Sequence, residues 1–238
     1  MVGALLAIAA GGAASTLGYA SMAPKSQLLG RTFVRGNPGS RQLALTFDDG
    51  PSEEHTLVLL EALDRLGVKA TFFMIGSHVR RLPRIAAEVA QAGHVIGNHT
   101  FTHPNLIFRP AAQIREELAR CRQALTEAVG EHSSLFRPPF GARRPEVLRR
   151  AREAGLQTVM WSITAYDWTA RSSGQIEAKV MRQARGGEVV LMHDGGHDSP
   201  RADRSSTVAA VRRVIGRCRD QGFSFVTIPE MMFCPGPP

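Results

Sequence analysis

The chain has 238 residues, enough for one large domain with a substantial core. Its formal charge of +8 comes mainly from arginine, because lysine occurs only at Lys25, Lys69 and Lys179. The arginines are dispersed, without the basic block or interleaved aromatics of a nucleic-acid binder, so the charge points to an anionic setting such as a cell envelope.

Residues 1–23 carry no charged side chain and read as a signal peptide or membrane anchor, with Ala20, Ser21 and Ala23 as cleavage candidates. That reading places the protein outside the cytoplasm, exported or membrane-anchored in a bacterial envelope. No Lys or Arg precedes the apolar run, and Lys25, Arg31 and Arg35 follow it, which runs against the positive-inside tendency. Residues 24–40 read as a linker, 41–230 as one catalytic domain and 231–238 as a tail. From residue 42, β-prone runs alternate with amphipathic stretches. Strands are predicted at 42–48, 70–75, 94–98, 134–137, 156–161, 188–192 and 223–228. Helices are predicted at 55–66, 79–92, 112–128, 144–154, 174–184 and 205–221. Such alternation implies a single α/β domain with a parallel sheet of seven to eight strands, close to the count of a closed barrel. Cys121 and Cys218 fall at apolar helix positions and read as core, whereas Cys234 could be free or bridged.

Chemistry-bearing residues collect where these strands end. Thr46-Phe47-Asp48-Asp49-Gly50-Pro51 sets two carboxylates at the end of an apolar strand. Adjacent acids raise each other's pKa, so they call for a metal, a cation or a retained proton; the bland alternative is an exposed D-D-G turn. His99 and His103 lie four residues apart, a spacing that one helical turn would bring to a single face and a single ion. His193 and His197 repeat the spacing, but Gly195 and Gly196 make a helix between them improbable, so that pair reads as a decoy and His193 is taken singly. His55, His78, His94, His132 and His197 read as structural or surface residues. Two His and one carboxylate make a common open zinc site, with a second carboxylate free to act as base; on extended backbone, Asp48 and Asp49 would diverge to serve the two roles.

Five ordered motifs carry a resemblance: T-F-D-D-G-P at 46–51, H-T-F-T-H-P at 99–104, R-P-P-F-G at 137–141, Y-D-W at 166–168 and L-M-H-D at 191–194. Together they resemble the polysaccharide deacetylases, carbohydrate esterase family 4, also called the NodB-homology domain, over roughly residues 41–230. The resemblance implies a distorted (β/α) barrel, single-domain and monomeric, that uses Zn2+ or another divalent metal such as Co2+ to deacetylate N-acetylglucosamine polymers. It implies Asp48 as general base, with Asp49, His99 and His103 as metal ligands. Arg137 would tune Asp48, and Asp167 would tune His193, the general acid. Phe140 would help hold the oxyanion through its backbone N–H. Pro139, Trp168 and Leu191 would shape the substrate side. Two positions depart from the pattern: Thr164 replaces an Asp of the fourth motif, and Phe140 replaces a Tyr of the third. An O-acetyl esterase acting on xylan and a non-catalytic carbohydrate-binding barrel remain as alternatives.

Overall fold

The structure, a computed structural model, describes residues 17–199 and 201–233. Its centre is β1 (Gln42–Asp48), in which large apolar residues alternate with small or polar ones. A period of two sends the two sets to opposite faces. Leu43, Leu45 and Phe47 join the apolar layer under the helices, and Ala44 joins a second cluster inside the curled sheet with Phe73, Val189 and Leu191. Thr46 and Asp48 continue that inner column upward, so the interior becomes polar toward the carboxyl ends of the strands.

The remaining strands are β2 (Thr71–Met74), β3 (Val95–Asn98), β4 (Leu135–Phe136), β5 (Gln157–Thr158), β6 (Ile163–Thr164), β7 (Glu188–His193) and β8 (Ser224–Phe225). All pairings between strands are parallel, in the order β5-β4-β3-β2-β1-β7-β6, with β8 beside the start of β1. The helices are α1 (described over residues 17–22), α2 (Thr56–Arg65), α3 (Gly76–Arg81), α4 (Pro83–Gln91), α5 (Ala111–Val129), α6 (Pro145–Glu153), α7 (Ser173–Gln183), α8 (Ser205–Asp220) and α9 (Ile228–Phe233). This is the distorted (β/α) barrel of seven to eight parallel strands in one α/β domain. No helix among the described residues is long and apolar enough to cross a membrane. Cys121 and Cys218 are both buried on helices, and Cys234 lies outside the described residues.

Four expectations need correction. The helix expected at 79–92 is two helices, because Pro83 excludes the α conformation from Leu82, which sits at φ −126°, ψ 51°. The strand expected at 156–161 is only β5, ending at Thr158, and β6 at Ile163–Thr164 is not among the expected strands. The middle carbonyls of the expected strand, Val159 and Met160, accept hydrogen bonds from the Arg137 side chain instead of from a neighbouring strand. The strand expected at 223–228 stops at Phe225, and α9 runs past residue 230, with Ile228 and Met231 closing the lower end of the inner cluster.

The fourth correction concerns residues 24–40, which pack on the barrel as an integral strap. Phe33 bridges Val159, Arg35 bridges Glu188 and forms a 3.1 Å ion pair with it, and residues 36–40 cross Gly186 and Gly187 so closely that a Cβ at either glycine would strike strap backbone. Farther upstream, buried Arg143 donates to the carbonyls of Ala23 at 2.8 Å, Ser26 at 2.7 Å and Gly141 at 3.1 Å, while its own N–H donates to Ser21. Residues 1–16 of the expected leader lie outside the described residues. Replacing Arg143 by Met leaves those carbonyls, buried at Gly141 and part-buried at Ala23 and Ser26, without that donor. We expect a loss of about 1–3 kcal/mol in denaturant unfolding, with faster amide exchange concentrated in residues 21–33.

Candidate active site

The strand ends bring the motif residues to one rim. Asp48 and His193 are paired in register on β1 and β7 and sit side by side. Asp48 Oδ1 accepts from Arg137 Nη1 at 2.7 Å. The same nitrogen donates to Thr46 Oγ1 at 2.8 Å, Nε and Nη2 reach Val159 and Met160, and the guanidinium carbon lies 4.2 Å from the Phe73 ring centroid. Arg137 has no exposed surface. Burial pulls its pKa down, and the charge of Asp48 and the hydrogen bond to it oppose that pull.

Asp49 is not on extended backbone. Its φ of 72° reverses the chain's hand, and this reversal, rather than strand pleat, separates its carboxylate from that of Asp48. His78 Nδ1 donates to its carbonyl at 3.0 Å. Asp49 Oδ1 lies 3.4 Å from His99 Nε2 and 3.2 Å from His103 Nε2. The two histidines are not on a helical turn either. Thr100 and His103 have φ of 65° and 57°, and the loop is held by Glu117 on α5, whose carboxylate accepts from the N–H groups of Phe101 and Thr102 and from the Thr102 hydroxyl. All five non-glycine residues with positive φ among the described residues, Asp49, Thr100, His103, Phe140 and Tyr166, stand in this rim. Such strain concentrates where a site over-determines its backbone.

The donors fit a divalent metal. Asp49 Oδ1 is buried without a hydrogen-bond partner, and one atom each of Asp49, His99 and His103 lie within 4.8 Å of one another. His99 Nδ1 donates to the Arg137 carbonyl at 2.7 Å, which leaves the Nε2 lone pair facing Asp49. Burial above all, with the neighbouring His99 imidazole, drives His103 down to about 2, so it stays neutral. For Asp49, burial acts upward but is outweighed by the surrounding imidazoles, and its carboxyl lies well below the usual range.

Across the cleft, Asp167 accepts from the His193 backbone N–H at 2.8 Å, from His193 Nδ1 at 2.9 Å and from the Thr207 hydroxyl at 2.9 Å. Burial works against a charged His193, but Asp167, with Asp49 and Asp48 behind it, lifts the imidazole to about 9. Trp168, 45% exposed, stands edge-on to His193 at 5.1 Å between ring centroids, and Leu191 is a buried wall residue. Phe140 is 45% exposed beside His103. Pro139 is buried in the turn that precedes it, where it shapes the loop and is not among the residues lining the cleft. Gly141, at φ 67°, leaves room for Trp161, whose indole N–H donates to Thr164 Oγ1 at 2.9 Å. The substituted position 164 therefore anchors the cleft wall. The cleft itself measures about 580 Å³.

Sequence reasoning missed two features. Asp194 is buried against Gly50. Its carboxylate accepts from Thr56 at 2.6 Å, and burial, opposed by that bond and aided by Asp49 and Asp48, lifts it to about 7. His197, set aside as a decoy, lines the cleft, with Nδ1 3.6 Å from Asp49 Oδ2. Helical spacing was the wrong discriminator between the two histidine pairs, because neither pair is helical.

The sequence profile of the polysaccharide deacetylases matches residues 35–159. The chain belongs to the polysaccharide deacetylase family. A chitooligosaccharide deacetylase of Rhizobium leguminosarum bv. trifolii is 34% identical, with 83% of this chain and 95% of that protein covered. A Listeria monocytogenes protein, peptidoglycan-N-acetylglucosamine deacetylase PgdA, is also 34% identical over 81% of this chain, but the match spans only 39% of its own length. Among solved structures, the peptidoglycan N-acetylglucosamine deacetylase Bc1960 superposes with a TM-score of 0.80 at 34% identity, covering 84% of this chain and 92% of that one. A family 4 pseudoenzyme from Bacillus anthracis gives 0.79 at 30% identity, covering 85% and 69%.

The His193–Asp167 pair has a pH signature. A histidine raised from about 6.5 to about 9 contributes stability that is complete below pH 6.5 and is lost as pH rises through 9. Asp167, whose carboxyl is lowered, contributes at the other end, losing stability as acid protonates it. Chemical denaturation from pH 6 to 10 is expected to show a fall on the order of 1–3 kcal/mol, and Asp167→Asn is expected to be less stable at pH 6 and nearly flat across that window.

Proposed function

We propose that this protein is a metal-dependent polysaccharide N-deacetylase that hydrolyses the acetamide of N-acetylglucosamine units in peptidoglycan or a chitin-like oligosaccharide, releasing acetate. The observation that carries this reading is the sorting of two neighbouring carboxylates: Asp48 is held by Arg137, while Asp49 offers an orphaned buried oxygen to two imidazole nitrogens. A similar barrel alone would not suffice, because one structural neighbour is a pseudoenzyme.

A divalent cation held by Asp49, His99 and His103, Zn2+ or Co2+ by the chemistry of the donor set, would polarise the acetyl oxygen and acidify an adjacent water. Asp48 takes the proton from the attacking water as the nucleophile forms its bond to the carbonyl carbon. Arg137, 2.7 Å away, supplies the counter-charge to that carboxylate and aims it. The Phe140 backbone N–H lies on the loop beside His103 and supports the oxyanion. His193, kept protonated by Asp167, donates to the departing nitrogen, so the amine leaves neutral. Trp168 and Leu191 bound the small space that an acetyl group needs. The protein is proposed to act as a monomer on an extracytoplasmic polymer, exported or membrane-anchored, with its positive charge favouring an anionic wall.

Incubation with chitooligosaccharides, peptidoglycan and acetylxylan, scoring acetate and free amine separately, tests the reading. Equal yields of acetate and amine from the first two are expected. Acetate from xylan without amine would make the protein an O-acetyl esterase, and tight oligosaccharide binding with no acetate under saturating metal would make it a binding barrel. Asp48→Asn is expected to cut turnover about 10²- to 10⁴-fold with metal content retained. Loss of metal in that variant would reverse the roles given to the two aspartates.

A further inference from the structure

The imidazole of His197 has no part in the chemistry above, yet it stands at the mouth of the cleft among the proposed ligands. Its ring lies 4.5 Å from that of His103, tilted by 30°, and 5.1 Å from that of Phe140, nearly perpendicular at 86°. Two aromatic contacts at different angles fix both its position and its plane. Nδ1 then faces Asp49 Oδ2 at 3.6 Å, beyond a direct hydrogen bond and within electrostatic contact. The other oxygen of the same carboxylate, Oδ1, faces His99 and His103.

The loop that carries His197 is built to hold it there. A Cβ on Gly195 would strike the Asp49 carbonyl, so the chain passes over the metal-binding aspartate as closely as backbone allows. Arg204 Nε donates to the Gly195 carbonyl at 2.7 Å, the Ala202 N–H donates to Ser199, and Asp203 meets His55 Nε2 at 3.2 Å. The side chain of His197 is 39% exposed. It is not a core histidine whose loss should cost the fold much stability.

We propose that His197 is a positioning residue of the metal site: it faces the second oxygen of Asp49, so that this carboxylate presents Oδ1 alone to the cation shared with His99 and His103. A carboxylate can bind a metal through one oxygen or two. A partner on one oxygen selects the single-oxygen mode and restrains rotation of the group, the usual office of groups just outside a metal's own ligands. The proposal rests on Asp49, His99 and His103 being a divalent-metal site.

The test titrates the chelator-stripped full chain with Co2+, recording affinity and the visible absorption bands, for the wild type, His197→Ala, His197→Asn and His103→Ala. His197→Ala is expected to weaken Co2+ binding about 10- to 100-fold, with the visible bands weakened as the freed Oδ2 raises the coordination number, and with the unfolding midpoint of the metal-free protein unchanged. His197→Asn, which keeps an N–H donor, is expected to recover part of the loss. Unchanged affinity in His197→Ala overturns the proposal. So does an unchanged band envelope, which would leave the binding mode of the Asp49 carboxylate independent of His197. Wild-type affinity in His103→Ala would instead overturn the underlying metal-site reading, so the two failures are distinct.

Discussion

A guanidinium inside a β-barrel has no water around it, so its N–H groups must find oxygens in the wall, and its charge must find a counter-charge. Arg137 meets this demand with Asp48, Thr46 and the carbonyls of Val159 and Met160, and lays its plane near Phe73. Each partner is fixed in turn. Asp48 is held in the barrel mouth, β5 stops at Thr158 just before the two carbonyls that Arg137 takes, and the Arg137 carbonyl is left to orient His99. The departure from barrel regularity and the arrangement of the site thus have one origin. Removing the cation would strand Asp48 as an unpaired buried charge, which is costlier than the net worth of the pair.

Above that level, the rim is made from backbone that ordinary residues avoid. Left-handed conformations at Asp49, Thr100, His103 and Phe140 aim side chains that a continuing strand or a helix would send elsewhere. The supports are polar and local: His78 under the Asp49 carbonyl, Glu117 gathering the 101–102 amides, and Asn98 accepting from the Thr100 N–H at 2.9 Å. Rigid supports of this kind let two carboxylates one residue apart differ in environment, one against a cation and one among imidazoles.

Much of this was legible in the sequence. Strand and helix alternation showed because the buried strands are short apolar runs and the helices carry apolar stripes; the interior column of β1 is visible in Leu43 to Asp48 as large, small, large, polar, large, polar. The site residues were legible as five ordered motifs. Their local geometry was not: the histidine spacing suggested a helical turn where the chain uses positive φ. Nothing in the spacing of His193 and His197 signals that a Gly-Gly turn folds the second imidazole back onto Asp49. Residues 24–40 read as a linker, yet their backbone lies flat against the barrel where Gly186 and Gly187 leave room for it. The break at Val159 depends on a side chain more than twenty residues away, beyond the reach of local pattern.

The segment just upstream of the strap is also tied to the barrel. The carbonyl of Ala23 and the backbone of Ser21, inside the stretch that offers small residues to a processing enzyme, are engaged by Arg143 once the barrel has formed. A protease needs such a segment extended and free. Were the chain cut there, cutting and folding would compete for the same peptide bonds, and whichever came first would decide whether Arg143 kept its carbonyl partners.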